Sequence, residues 1–146
     1  MAIFSSSMAA MLLLGLLTAN LDPTVAQIGV CYGMLGNNLP NAREVINLYK
    51  SNNIKRMRLY DPNQQAFQAL RGSNIEVILG VSNDQLQNLA NPSKAQSWVQ
   101  SNVVAYWPSV RFRYIAVGNE VPPSSSLAQF VLPALVNVFN AVRSAV

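Results

Sequence analysis

Phe112-Arg113-Tyr114-Ile115-Ala116-Val117-Gly118-Asn119-Glu120 is a short β-rich run that stops on a glycine and then presents two polar side chains. Three earlier runs have the same form: Ile28–Tyr32, Arg56–Tyr60 and Ile75–Val81, each bounded by Gly, Asn, Asp or Pro. Longer segments with helical periodicity separate them, and this alternation predicts βαβ units around a parallel sheet. The near-continuous hydrophobicity of the runs predicts strands covered on both faces.

The segments between the strands carry their own start and stop signals. Asp61-Pro62 offers an N-cap acceptor and a proline at the first helical position, Phe67 and Leu70 form an apolar side, and Gly72 supplies a left-handed stop. Asn91-Pro92 repeats the start, after which Ala95, Trp98, Val99, Val103 and Tyr106 recur at helical spacing until Pro108. That spacing assigns Trp98 and Tyr106 to the core. In Leu127–Val146, residues Phe130, Val131, Ala134, Leu135, Val138, Phe139 and Val142 share one broad face, with a kink expected at Pro133. The segment stops in mid-helix with that face unmatched, which predicts a chain cut short. Four βα units make either an open doubly wound sheet or half of an eight-stranded barrel. No G-x-G-x-x-G or P-loop follows the first run, and Gly29, Gly33 and Gly36 have the wrong spacing. Half a barrel would expose the edges of its first and last strands, predicting aggregation or dependence on a partner.

Composition narrows the chemistry. The chain has 146 residues, 51% hydrophobic and 11% charged, which suits one folded domain. A single cysteine, Cys31, and the absence of histidine exclude an internal disulfide, a cysteine-based zinc cluster and every imidazole-dependent triad. Carboxylate, lysine or tyrosine chemistry remains. No cofactor is implied.

At the N-terminus, the apolar stretch Met8–Leu17 precedes small residues at Thr24 and Ala26, and the first charged side chain is Asp22. This predicts a signal peptide over residues 1–26, too short to span a bilayer, with residues 27–146 as the exported part. Cleavage before Gln27 removes Asp22 and raises the formal charge from +4 to +5. The destination is then extracellular, wall or vacuole, with no membrane association in the mature form. The positive residues are scattered. Their one cluster, Lys55-Arg56-Met57-Arg58, reads as solvated charge at the start of a strand, so nucleic-acid binding is not expected. Asn91-Pro92-Ser93 has proline in the forbidden middle position of a glycosylation acceptor.

In parallel βα proteins, chemistry collects at the C-terminal ends of strands. Those positions are Tyr32 and Gly33, Tyr60 and Asp61, Ser82 and Asn83, and Gly118-Asn119-Glu120. Glu120 alone is an acid between apolar neighbours, so partial desolvation should raise its pKa and make it a proton donor. Asn119 offers an amide to a sugar hydroxyl. A helix-capping or solvated role for Glu120 is the competing reading.

The runs Ile28-Gly29-Val30-Cys31-Tyr32-Gly33, Gly36-Asn37-Asn38-Leu39-Pro40 and Met57-Arg58-Leu59-Tyr60-Asp61-Pro62, together with residues 112–120, resemble the plant endo-β-1,3-glucanases of glycoside hydrolase family 17. The resemblance implies a (β/α)8 TIM barrel, here its first four βα units, and retaining hydrolysis of β-1,3-glucan. By matched position it implies Glu120 as general acid/base, Asn119 as a contact to the sugar beside the scissile bond, Tyr32 as part of the cleft floor and Cys31 as a buried, inert thiol. The family's second catalytic glutamate precedes a Gly-Trp-Pro motif, which does not occur here. Glu44 at a helix start, Glu76 at a strand start and Asp84 opening a helix do not replace it, and Asp61 reads as an N-cap. The isolated chain is therefore expected to be inactive. Two rival readings are a non-catalytic glucan-binding or decoy protein and a flavodoxin-like binding module.

Overall fold

A computed structural model describes residues 28–145; the expected signal segment and its expected cleavage site lie outside the described residues. Four strands alternate with helices. They are β1 (Val30–Tyr32), α1 (Ala42–Ser51), β2 (Arg56–Leu59), α2 (Gln64–Leu70), β3 (Glu76–Val81), a 3-10 turn (Asn83–Gln85), α3 (Leu86–Leu89), α4 (Pro92–Val99), β4 (Arg111–Val117) and α5 (Ala128–Ala145). The strands form one parallel sheet in the order β1-β2-β3-β4. Sequential order is that of a barrel segment; a flavodoxin-like sheet places its second strand outside its first. The flavodoxin-like reading is thereby set aside.

Local chemistry sets the helix boundaries. Asn41 caps α1 by accepting the Glu44 N–H at 3.0 Å. For α2 the cap is Asn63, which accepts the Ala66 N–H at 2.9 Å. The helix thus starts later than Asp61-Pro62 suggested, because an asparagine nearer the apolar face satisfies the same orphan donor. Gly72 adopts φ 67° just past α2, as its stop signal required. Asn91 and Pro92 open α4 as expected, with Asn91 accepting from Ser93 and Lys94. A π-helical turn, Gln100–Val104, extends α4. Pro133 lies inside α5.

The strands are covered on one face only, contrary to the reading of their hydrophobicity. In β2 and β3, Met57, Leu59, Val77 and Leu79 are buried, whereas Arg56, Arg58, Glu76 and Ile78 are half-buried on the opposite side. Period-two alternation is the mark of a one-sided sheet, and the two arginines of β2 supply it. Among the described residues the core contains no buried polar or charged side chain. Phe67 is its hub: fully buried, it meets Tyr106 at 4.7 Å and Phe112 edge-on at 5.4 Å between ring centroids. Trp98 packs against the same core.

The last unit is less covered. On α5 only Ala134 and Val138 are buried, while Leu135 and Phe139 of the predicted apolar face are exposed. With Trp107 and Tyr114 they line a groove beside the β4 edge. Among the described residues β1 and β4 each pair with one strand, leaving the two free edges expected of half a barrel.

Candidate functional site

The site forms where β4 leaves the sheet. Its last ladder bond runs from the Gly118 N–H to the Val81 carbonyl at 3.0 Å. Gly118 then takes φ 82° and Glu120 φ 49°. Glycine adopts this left-handed geometry freely, whereas a glutamate there costs about 1–2 kcal/mol. Such strain persists only where the surroundings enforce it, and it clusters at functional sites.

The enforcement falls on Asn119, between the two left-handed residues. Its N–H donates to Asn83 Oδ1 at 2.7 Å, and its carbonyl accepts from Asn83 Nδ2 at 2.8 Å. Its side-chain Oδ1 accepts from Arg58 Nη2 at 2.7 Å. The Arg58 guanidinium in turn lies 4.6 Å from the centre of the Tyr60 ring. Arg58 Nε is out of contact with solvent and has no hydrogen-bond partner among the described residues. Tyr60 holds its proton above the ordinary value of 10.0, first through a hydrogen bond with the Cys31 side chain; the Glu120 charge adds to this and Arg58 opposes it. Gly80 permits the arrangement, since a Cβ there would overlap the Tyr60 carbonyl.

The structure thus brings Asn119 and Glu120 together with Arg58, Tyr60 and Asn83 at the strand mouths. Three expectations change. Glu120 is exposed, so the desolvation assumed for its carboxyl is not present. Tyr32 is buried to 9% exposure and meets Tyr49 of α1 edge-on at 6.2 Å. Its ring lies in the core under the sheet rather than on a cleft floor, because the alternation of β1 turns it toward α1. Cys31, the next residue on the other side, is exposed rather than buried.

Arg58 and Asn83 carry roles that the sequence reading did not give them. The alternation Arg56-Met57-Arg58-Leu59 held the signal for Arg58: period two places both arginines on one face of a strand, not in solvent at its start. Asn83 stood at a strand mouth, but its contact with Asn119 spans 36 residues, and no local pattern encodes it.

Of the other described acids, Glu76 and Asp84 are engaged by hydrogen bonds. Glu44 lies in the first turn of α1. Asp84 is held below the usual carboxylate range, first by a hydrogen bond from Ser82 and then by one from Gln85. Glu76, at the start of β3, accepts from Arg113 at 2.6 Å and Arg56 at 2.9 Å, with Arg111 at 3.7 Å. Asp61 is exposed beyond Tyr60. Among the described residues no group of three His, Cys, Asp or Glu side chains could hold a metal ion.

The profile of glycosyl hydrolases family 17 matches residues 28–146. The chain belongs to that family. Among curated relatives, the glucan endo-1,3-beta-glucosidase of Pisum sativum is 62% identical over 143 residues, covering 94% of this chain and 39% of that protein. The basic isoform of Phaseolus vulgaris is 68% identical over 122 residues, covering 81% of this chain and 35% of that protein. Among solved structures, the beta-1,3-glucanase and pollen allergen CJP38 of Cryptomeria japonica superposes with a TM-score of 0.78 at 44% identity, over 82% of this chain and 38% of that one. One of two plant beta-glucan endohydrolases of distinct substrate specificity gives 0.77 at 53% identity, over 81% and 38%. The family 17 chain thus spans about two fifths of the length of these relatives, and its four βα units are a partial TIM barrel. Among the described residues, no helix of this family 17 chain is long and apolar enough to cross a membrane.

Proposed function

We propose that this chain carries the proton-transfer half of a β-1,3-glucan endohydrolase site, with Glu120 as general acid/base and Asn119 as a contact to the sugar beside the scissile bond. One observation supports this above the others: an exposed carboxylate follows a clamped asparagine on a strained turn at the C-terminal end of β4. Glu120 protonates the glycosidic oxygen while a second carboxylate attacks the anomeric carbon. The deprotonated Glu120 then takes a proton from water, which releases the sugar with retention. The two carboxyl groups must stand about 5–5.5 Å apart. Glu44 lies in the first turn of α1, Glu76 and Asp84 are hydrogen-bonded elsewhere and Asp61 is exposed beyond Tyr60; following the family resemblance, the second group is read as lying beyond the described residues. The polypeptide is read as exported to the wall or vacuole, with β-1,3-glucan as its partner.

Two assays test this reading. The 146-residue chain alone is expected to release no reducing sugar from laminarin above background. A chimera joining residues 28–145 to the part of the Pisum sativum relative beyond its matched segment is expected to hydrolyse laminarin. Glu120→Gln in that chimera should then abolish the activity. Sustained hydrolysis by the chain alone, or a fully active Glu120→Gln chimera, overturns the assignment. A non-catalytic glucan-binding role predicts oligosaccharide binding by the chain and an inactive chimera.

A further inference from the structure

We propose that Asn83 is a positioning residue, which fixes the direction of the Glu120 carboxylate by clamping the peptide groups on both sides of Asn119. The inference rests on the role proposed for Glu120. By residue 119 the sheet has run out: β3 ends at Val81, and the chain turns into the 3-10 turn that begins at Asn83. Asn119 therefore has no strand neighbour for its main chain. The Asn83 carboxamide substitutes for that neighbour, accepting from the Asn119 N–H and donating to the Asn119 carbonyl.

The pairing matters because those two groups belong to different peptide planes. The N–H lies in the plane shared with Gly118, and the carbonyl in the plane shared with Glu120. Both planes are thus held by one rigid group, and the left-handed φ of Glu120 starts from a plane that cannot rotate. A carboxamide is suited to this task because it carries a donor and an acceptor side by side. Aspartate offers only the acceptor, and alanine offers neither. Both polar atoms of the Asn83 side chain are bonded to Asn119 and not to its own turn. Arg58 adds a third hold on Asn119, at the side chain rather than the main chain.

NMR of the isotopically labelled 146-residue chain tests the clamp. A residue at positive φ gives a strong intraresidue N–H to Hα Overhauser effect, and Glu120 is expected to show it. Asn83→Ala should weaken that signal and move the Asn119 amide proton upfield. Asn83→Asp should keep the Asn119 amide shift and still weaken the Glu120 signal; it decides the matter if the alanine variant does not fold. Asn63→Ala, which removes the α2 cap, should lower stability and leave Glu120 unchanged. An unaltered Glu120 signal in both Asn83 variants, or an equal change in Asn63→Ala, overturns the proposal. In the active chimera, Asn83→Ala should lower kcat by at least about tenfold with KM nearly unchanged, since misplacing a proton donor impairs the reacting state and not the bound one. A loss confined to KM counts against the clamp. A fully active Glu120→Gln chimera removes instead the role of Glu120, and the NMR outcome separates the two failures.

Discussion

The two ends of the same strands use similar side chains for opposite purposes. At the N-terminal ends Glu76 pairs with Arg56 and Arg113 through one carboxylate oxygen, and Arg111 lies 3.7 Å from the other. At the C-terminal ends Arg58 is bound to an uncharged amide, and Glu120, exposed on a strained turn, forms no ion pair among the described residues. Charges that satisfy each other hold a fold together, whereas an exposed acid without an ion pair remains free to meet a substrate. In a βα barrel this is the usual division between the stabilising and the catalytic face.

The largest expected effect lies at the mouth. In the active chimera, Glu120→Gln should lower kcat by about 10²–10⁴-fold, the ordinary contribution of general acid/base catalysis. Melting should stay within about 1 °C, because an exposed side chain outside the core contributes little to stability. A collapse of stability alongside activity would erase the contrast between the two ends.

Glu76→Gln is the converse experiment. It removes the charge that three arginines share, and should cost about 1–2 kcal/mol in urea denaturation while chimera kcat stays within twofold. A strong loss of kcat would show that the network also serves the mouth.

The same carboxylate predicts a pH dependence. Glu76 is held below its ordinary value of 4.5, first by the hydrogen bond from Arg113 and then, against opposing desolvation, by the one from Arg56. A depressed folded value means that the unfolded chain binds the proton more readily. The stabilisation is therefore complete above the ordinary value and lost as pH falls through the folded one. Stability should decline on acidification from about pH 5 downward. Glu76→Gln should flatten part of that decline. The remainder belongs to Asp84, whose carboxyl is depressed in the same direction by Ser82 and Gln85. An identical acid limb in wild type and variant would remove the N-terminal network from the account.

Much of the frame was legible because its signals are local. Strand runs, the Asn91-Pro92 start and the Gly72 stop depend on neighbours a few residues apart, and the structure places them accordingly. The coverage of the sheet does not follow from the abundance of Val, Ile and Leu in its runs, because the alternating arginines of β2 decide it. The site was legible only in part. Gly118-Asn119-Glu120 announces itself at a strand end, but what holds it comes from Asn83 and Arg58, 36 and 61 residues away. Tyr32 was misplaced because a family likeness gives a position along the chain, whereas the side a strand residue faces is decided by register.

The smallest expected change in stability concerns Arg58. Its Nη2 bond to Asn119 and its stacking on Tyr60 favour the fold, while its buried Nε without a partner opposes it by about 1–3 kcal/mol. Arg58→Met removes all three, fills similar space and leaves no orphan donor. The net stability change should therefore fall within about 0.5 kcal/mol, as when other partly paired buried charges are replaced by apolar groups. Asn119 nevertheless loses the hold on its side chain, so its side-chain amide resonances should shift toward those of a solvated asparagine while its main-chain amide, still clamped by Asn83, stays put. A variant as stable as wild type with a released Asn119 side chain would show that Arg58 sits at the mouth for the site and not for the fold. A loss of several kcal/mol would instead place Arg58 with Glu76, among the residues that hold the sheet together.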